Sequence, residues 1–160
     1  MAELTGDIAH IWDPDRIRGD WTAGTVGLAQ DPGLATSVIL SLFTDREAEA
    51  ADILPDGTRN RRGWWGDRAF LDDGAQPWLR GSRLWLLSRE KWTQDTANRA
   101  VNYAREALAW MLEDGVADAV DVVAEMSAVG RINLIVTITK DGRTVGAGRY
   151  GLTWAALAAA

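Results

Sequence analysis

The chain has 160 residues, of which 47% are hydrophobic and 25% are charged, so it is long and apolar enough for one folded domain. A net charge of -6 argues against nucleic acid or an anionic membrane surface as the main partner. The absence of cysteine and the presence of one histidine, His10, exclude disulfides, thiolate nucleophiles and the common zinc ligand sets. We therefore treat residues 1–160 as a single domain without a metal or cofactor site.

The first thirty residues predict an extended, turn-rich segment followed by a helix. Turn signals are frequent in residues 1–30, and only Trp21–Leu28 has the composition of a short strand. Asp31 can cap a helix that we predict from Gly33 to Thr44. The apolar residues of this helix recur at steps of three and four, namely Leu34, Val38, Ile39 and Leu42. We find no targeting peptide and no apolar run long enough to span a bilayer.

A long polar loop separates this helix from a second, longer one. The loop runs from Asp45 to Gln76, and loops of this length in compact domains are usually functional or held by a neighbour. Thr93 or Thr96 can cap the second helix, and Gly115 stands where a left-handed C-terminal cap belongs. Its predicted buried stripe consists of Val101, Ala104, Leu108 and Met111.

After Gly115 the hydrophobic period changes to two, which predicts strands. A first strand begins around Val120, a second covers Arg131–Thr139, and a turn leads to a third over Thr144–Tyr150. The fold class is therefore α+β: a turn-rich N-terminal segment, a helix, a long loop, a long helix, and an antiparallel three-stranded meander. We expect residues 31–150 to form the core and residues 151–160 a tail.

The usual catalytic and phosphate-binding motifs are missing from the sequence. There is no GxSxG, no GxxxxGK[ST] and no GxGxxG after a strand. Three nearby aspartates resemble a calcium loop but lack its glycine and its bidentate glutamate, so we interpret them as a self-capping turn. These aspartates are Asp13, Asp15 and Asp20.

Paired carboxylates are harder to exclude, because a glycosidase needs only two at a suitable distance. The available glutamates are Glu47, Glu49, Glu90, Glu106, Glu113 and Glu125. Glu106 and Glu113 fall outside the apolar stripe of the long helix, so we expect both on its solvent face.

The most unusual segment is an arginine- and tryptophan-rich string within the long loop, and it has two interpretations. Its indoles either fold back onto the core, with arginines in solvated ion pairs, or one indole faces outward and contacts another protein. Glycines at 63 and 66 permit the sharp backbone that either arrangement needs. The candidate interface residues are Arg61, Arg62, Gly63, Trp64, Trp65, Gly66 and Asp67.

Several strings of this chain resemble the phage Mu-type baseplate protein family, and the resemblance covers roughly residues 34–138, which is most of the chain. The matching strings are Ser41-Leu42-Phe43-Thr44-Asp45-Arg46, Leu54-Pro55-Asp56-Gly57, Arg62-Gly63-Trp64-Trp65-Gly66-Asp67, Gly81-Ser82-Arg83-Leu84-Trp85-Leu86-Leu87, Ala107-Leu108-Ala109-Trp110 and Asp114-Gly115-Val116. The family is similar to the contractile-tail baseplate wedge proteins, or sheath initiators, which are sometimes labelled lysozyme-like. Many of those carry Glu-Pro-Arg after the long helix, where this chain has Glu113-Asp114-Gly115, so the role of that arginine is not carried over.

The resemblance implies a structural, non-enzymatic subunit of the virion tail baseplate, assembled in the cytoplasm of the bacterial host. It implies other baseplate wedge, tube or spike, and sheath proteins as partners, with several copies around the tail axis and no cofactor. An unpaired edge of the meander would accept a strand from a neighbour, and we include three residues of the second strand among the candidate contacts. These are Ile132, Leu134 and Val136. Two alternatives stay open: a small peptidoglycan hydrolase that uses a glutamate pair, and a sugar-binding module built on the indoles.

Overall fold

The computed structural model of the chain describes residues 6–16, 18–25, 27–31, 33–67, 79–127 and 130–153. Its elements, in chain order, are β1 (Asp7–Ile8), β2 (His10–Asp13), β3 (Arg18–Trp21), β4 (Gln30–Asp31), α1 (Ala35–Phe43), two 3₁₀ turns (Trp65–Asp67 and Leu84–Leu87), α2 (Gln94–Leu108), α3 (Trp110–Glu113), β5 (Ala119–Met126), β6 (Arg131–Lys140) and β7 (Arg143–Thr153). Two helices joined by a long connection and followed by an antiparallel sheet confirm the α+β class.

The N-terminal segment forms two small antiparallel ribbons. β1 pairs with β4 and β2 pairs with β3. The prediction of a strand over Trp21–Leu28 is wrong, because the chain turns back between Gly24 and Gly27. Gly27 has a positive φ of 78°. Within that segment, Trp21 ends β3 opposite His10, and a bridge joins Ala23 to Leu28. From β2, the indole of Trp12 stacks on the ring of Phe43 with centroids 3.5 Å apart, which attaches the segment to α1.

Helix α1 lies within the predicted range of 33–44; Leu34 occupies the N-cap position, and Asp31 caps the first turn from three residues earlier. The Asp31 carboxylate accepts hydrogen bonds from the backbone N–H groups of Thr36 at 2.7 Å and Gly33 at 3.0 Å. Burial alone would raise the pKa of Asp31, but these hydrogen bonds outweigh it and lower the pKa below its usual value. The buried side of the helix carries Val38, Ile39 and Leu42, as the spacing predicts.

The long helix is interrupted by a single residue. Thr93 caps α2 by accepting a hydrogen bond from the N–H of Thr96 at 3.2 Å. Ala109 separates α2 from α3, because its N–H bonds to the carbonyl of Glu106 and so shifts the ladder to a three-residue step. Gly115, with φ of +66°, ends the helical region in the left-handed conformation that the sequence predicts.

The C-terminal sheet has the order β5-β6-β7, and all of its pairs are antiparallel. One face of the central strand is fully buried against the helices, through Ile132, Leu134, Val136 and Ile138. β7 extends to Thr153, so the predicted tail does not begin at residue 151, while residues 154–160 lie outside the described residues. Searched over the described ranges, the chain contains no helix of the length and apolarity that a bilayer requires.

Residues 45–67 and 79–88, here called the connecting layer, join α1 to α2 with little regular structure. Ser82 fixes the layer to the end of α1, because its N–H donates to the carbonyl of Thr44 and its hydroxyl donates to the carbonyl of Leu42. The N–H of Arg46 in turn donates to the carbonyl of Ser82 at 2.9 Å. A second, small apolar cluster forms inside the layer, from Ala48, Trp85 and Leu86. Residues 68–78, which include the end of the predicted loop, lie outside the described residues.

Candidate subunit interface

The two arginines of the candidate string are held by the chain's own backbone and side chains. The Arg61 guanidinium donates to the carbonyl of Ala48 at 3.2 Å and also to the carbonyl of Glu49. The guanidinium of Arg62 lies 2.7 Å from the Asp45 carboxylate. It also lies over the ring of Trp85, 4.6 Å from the centroid. These arginines therefore fix the string to residues 45–49 of the connecting layer.

A tight backbone turn in the string explains one of its two glycines. Arg62 and Gly63 both have positive φ, at 53° and 94°, and a Cβ at Gly63 would lie 3.0 Å from the Cβ of Glu47. The side-chain oxygen of Asn60 supports the turn by accepting from the N–H of Arg62 at 2.9 Å. A larger residue at 63 would strain the backbone and press on Glu47.

Trp64 lies directly over the second glycine of the string. A Cβ at Gly66 would approach the six-membered ring of Trp64 to 2.0 Å, so only glycine permits this packing. The guanidinium of Arg80 lies 4.8 Å from the centre of the same ring. Trp64 is half-buried, while the side chain of Trp65 lies outside the described residues. Within the described chain, both carboxylate oxygens of Asp67 are buried without a hydrogen-bond partner.

Trp64 borders an open groove of about 560 Å³ between the two main helices, here called the helix groove. Its described lining residues are Ser37, Leu40, Ser41, Thr44, Trp64, Leu79, Arg80, Gly81, Ala107 and Trp110. Arg80 is the one charged residue in that set, although a quarter of the chain is charged. Leu40 is 47% exposed at the groove, which leaves an apolar side chain available to a partner.

The candidate residues on the meander are placed differently from what the sequence suggested. Ile132, Leu134 and Val136 are buried in the chain's own core, and their strand β6 is paired on both sides. Alternation turns these three side chains toward the helices of the same chain, so the contact of the meander with another subunit stays a prediction for the edges of the sheet. The free edges of the sheet belong to β5 and β7 instead.

The comparisons with known proteins match most of the chain. The sequence model of the family described as phage protein GP46 matches residues 34–145. The chain belongs to this family. It is similar to the "Baseplate protein gp46" of Escherichia phage Mu, with 45% identity over 140 residues, covering 87% of this chain and 91% of that protein. It is also similar to the "Mu-like prophage FluMu protein gp46" of Haemophilus influenzae, with 37% identity over 139 residues, 86% of this chain and 90% of that protein.

The GP46 match runs from the residue before α1 into β7 and so includes the candidate string and every described residue of the helix groove. The N-terminal ribbons, at residues 7–31, precede the matched range. The family resemblance found in the sequence is thereby confirmed.

A cluster of charged side chains around Arg83, which the sequence did not reveal, joins separate segments of this GP46-family fold. The Arg83 guanidinium lies 2.8 Å from the Glu106 carboxylate, 3.0 Å from Asp52 and 3.1 Å from Glu49. Arg46 approaches Glu106 at 3.4 Å from the other side. Burial would lower the pKa of Arg83, but hydrogen bonding to Glu106 and Asp52 raises it above its usual value. The cluster ties the connecting layer to α2.

This cluster corrects the sequence-based expectation that Glu106 lies on the solvent face of the long helix. Glu106 is not on a free solvent face, because Arg83 draws it against the connecting layer, whereas Glu113 is exposed as expected. Arg83 and Arg46, the partners of Glu106, stand 23 and 60 residues earlier, so no local sequence pattern could have revealed these contacts. Each oxygen of the Glu106 carboxylate lies within ion-pair distance of a guanidinium group, an arrangement that suits an ion-pair network better than catalysis.

The aspartates near the N-terminus form the self-capping turn that the sequence predicts. Asp13 Oδ1 accepts from the backbone N–H groups of Asp15 at 3.0 Å and Arg16 at 3.1 Å. Its carboxylate therefore serves the local backbone. In the portion of the chain covered by the structure, no three candidate ligands converge on a metal position.

Proposed function

We propose that the chain is a structural subunit of a phage tail baseplate that joins neighbouring subunits. The observation that carries this proposal is the 45% identity to the Mu protein named as a baseplate protein, because it extends over nine-tenths of that protein. Both relatives belong to a phage or a Mu-like prophage, so the place of action is the tail of a virion or of a related particle.

Finer assignments rest on the resemblance to wedge proteins of contractile tails. On that basis the chain is a wedge component that helps to initiate the sheath, present in several copies around the tail axis. Its neighbours are other wedge subunits, a tube or spike protein, and the sheath protein, and it assembles in the host cytoplasm. Neither nucleic acid nor membrane is a partner.

The helix groove is the first contact surface that we assign to this role. It is apolar and nearly uncharged, and Trp64 and Leu40 both present side-chain surface to it. Aromatic and aliphatic anchors in such grooves supply most of the affinity in protein interfaces. The indole N–H of Trp110 already donates to Ser41 Oγ at 3.1 Å, which favours an apolar partner side chain over a sugar.

The outer edge of β7 is the second contact surface. The edge of β5 is partly occupied, because Arg105 of α2 donates to the carbonyl of Val122 at 3.1 Å. On β7, Trp12 donates to the carbonyl of Gly151 at the far end, while no described strand pairs with its outer side. Val145 on this strand is 42% exposed. We assign to residues 143–149 the addition of a strand from a neighbouring subunit.

We propose no catalytic role for the chain. Glu106 is ion-paired with Arg83 and Arg46, and Glu90 and Glu125 lie 2.8 Å and 2.7 Å from Arg99 and Arg149. No observation favours the hydrolase or the sugar-binding module. Incubation of the purified chain with cell walls tests both: released reducing ends that disappear in Glu106→Gln would overturn the proposal, as would pelleting with the walls without release.

A matched pair of substitutions tests the structural role. Leu40 and Leu112 are exposed to the same degree, 47% and 46%, but only Leu40 is among the lining residues of the helix groove. Both Leu→Gln variants should fold like the original chain, because each replaces a half-exposed side chain on a helix with a good helix former. Leu40→Gln should reduce incorporation into baseplates in particles purified from a complemented deletion, and Leu112→Gln should not. Equal incorporation of both would remove the groove from the interface.

A further inference from the structure

A second, larger cleft lies on another side of α1 and is bordered by arginines. Its volume is about 620 Å³, and it opens between the N-terminal ribbon β2–β3, the end of α1, the connecting layer and the end of β7. We call it the arginine cleft. Its floor is apolar and buried, formed by Leu42, Leu84, Trp85 and Leu152. The stacked rings of Trp12 and Phe43 form one wall.

Four guanidinium groups and two carboxylates line this cleft, an excess of positive charge in a chain whose net charge is -6. The arginines are Arg16, Arg18, Arg62 and Arg89, and the aspartates are Asp45 and Asp56. Asp45 is neutralised by Arg62 at 2.7 Å. Asp56 caps its own turn by accepting from the N–H and hydroxyl of Thr58 at 3.0 and 2.9 Å.

Three of the four arginines remain available to a partner. Arg16 and Arg18 form only exposed ion pairs on the ribbon, with Asp13 at 3.7 Å and Asp20 at 3.4 Å. Exposed pairs of this kind contribute little and exchange readily with an incoming carboxylate. Arg89 has no acidic partner anywhere in the ranges that the structure describes. The cleft thus offers cationic groups above an apolar floor, and a partner would have to break only weak ion pairs within the chain to reach them.

We propose that the arginine cleft binds an acidic segment of a neighbouring baseplate subunit. Carboxylates of the segment pair with Arg16, Arg18 and Arg89, and one of its apolar side chains rests on the floor beside Trp85. The volume suits a few residues of extended chain. The partner's identity as a baseplate subunit rests on the proposed function, whereas its acidic chemistry rests on the cleft.

The charges of the cleft disfavour nucleic acid as the occupant. A phosphate backbone would meet the carboxylate of Asp56 in the cleft lining and those of Asp13 and Asp20 beside Arg16 and Arg18. A peptide can place its few acidic residues opposite the arginines and its apolar ones over the floor, which matches the mixed lining.

Charge reversal at the unpaired arginine tests the proposal. Arg89→Glu should lower incorporation into baseplates by about tenfold or more, because it sets a carboxylate against the incoming acidic segment. Arg89→Lys should retain most of the incorporation. Lys91→Glu is the matched control: it makes the same change of net charge two residues away, on an exposed side chain outside the cleft lining. Thermal unfolding of each isolated variant should stay unchanged, because both side chains are exposed.

Photo-crosslinking identifies the occupant directly. Benzoylphenylalanine at Ser88, a half-buried position that lines the cleft, should crosslink to another baseplate protein in purified particles, at a segment rich in Asp and Glu. The same label at Asn102, exposed on α2, serves as the control. Glutamate-to-lysine changes in the captured segment should restore incorporation of Arg89→Glu.

The outcomes separate this inference from the proposed function. Absence of the unmodified chain from purified baseplates would overturn the proposed function itself. Normal incorporation of Arg89→Glu would overturn the inference alone, and so would a captured segment that is neutral or basic. A nuclease-sensitive crosslink would replace the peptide with nucleic acid, and would likewise overturn it.

Discussion

The helix-and-sheet core, formed by α1, α2, α3 and the meander, contrasts with the connecting layer that spans residues 45–67 and 79–88. The core is built from regular elements whose apolar residues recur at the period of a helix or a strand. The connecting layer has two short 3₁₀ turns as its described regular structure and is fixed by guanidinium groups, a buried serine and close glycine contacts. The same chain therefore uses repeated apolar burial in one region, and one short buried turn together with individual polar contacts in the other.

The difference affects how each region should respond to substitution. In the core, energy is spread over many side chains of similar kind, so the cost of a change follows the apolar volume removed. In the connecting layer, a few groups such as Arg83 and Ser82 each join several segments, so the cost depends on which contact is lost. Two of the three candidate contact surfaces, the helix groove and the arginine cleft, take residues from the connecting layer.

The largest expected effect lies in the core. Leu134→Ala removes a fully buried side chain from the middle of β6 and should lower the free energy of unfolding by about 3 to 4 kcal/mol. Val123→Ala, on the exposed side of the edge strand β5, should cost well under about 1 kcal/mol. Urea unfolding of both variants measures the difference. Similar losses at the two positions would contradict the assignment of β6 as the centre of the core.

The next effect separates backbone strain from close packing in the connecting layer. Gly81 has φ of +87°, and a Cβ there would lie 2.2 Å from the carbonyl oxygen of Thr44, so Gly81→Ala should cost about 3 kcal/mol. Gly57 has a similar φ of +68° but nothing within 4 Å of its Cβ position, so Gly57→Ala should cost only about 1 kcal/mol. Thermal unfolding compares the two, and equal shifts would mean that the approach to Thr44 is not a tight one.

The charge cluster gives a smaller but more specific effect. Arg83→Met leaves Asp52 and Glu106 without their main partner, and since Arg83 and Asp52 are only 14% and 16% exposed, we expect a loss of about 2 kcal/mol. Arg99→Met breaks a pair with Glu90 in which both side chains are about 40% exposed, and should cost under about 0.5 kcal/mol. In a double-mutant cycle, Glu106→Gln should recover part of the Arg83 loss. Strict additivity would remove Glu106 from the cluster.

The sequence predicted the core because its pattern there is local and repeated. The cap at Thr93, the glycine at 115 and the alternation over 131–139 each report the structure of their own segment. The predicted strand over residues 21–28 failed because two glycines favoured a turn over a weak β pattern. The break at Ala109 has no such local signal.

The candidate site was only partly visible in the sequence. The Arg-Trp string drew attention by its composition, and the structure places Trp64 of that string at a groove. The lining residues Leu40 and Trp110 could not be linked to it, because they come from other helices. The pattern of Ile132, Leu134 and Val136 did not show that their strand lies in the middle of the sheet, because alternation identifies the two faces of a strand but not its neighbours.

The smallest expected effect tests the link between the N-terminal ribbons and the core through the pH dependence of stability. The folded-state pKa of Asp31 is lowered, so its contribution is present above the unfolded-state pKa of about 3.9 and is lost as pH falls through the folded value. Asp31→Asn keeps an acceptor oxygen but removes the negative charge at the start of α1, and should therefore lower the free energy of unfolding by about 0.5 kcal/mol at pH 6. The deficit should be smaller at pH 3, because the unfolded-state carboxylate is by then largely protonated, and it should vanish once the pH falls below the lowered folded-state pKa. Urea unfolding at the two pH values measures it, with Asp114→Asn as an exposed control, and a deficit that stays constant with pH would show that the charge of Asp31 does not stabilise the helix.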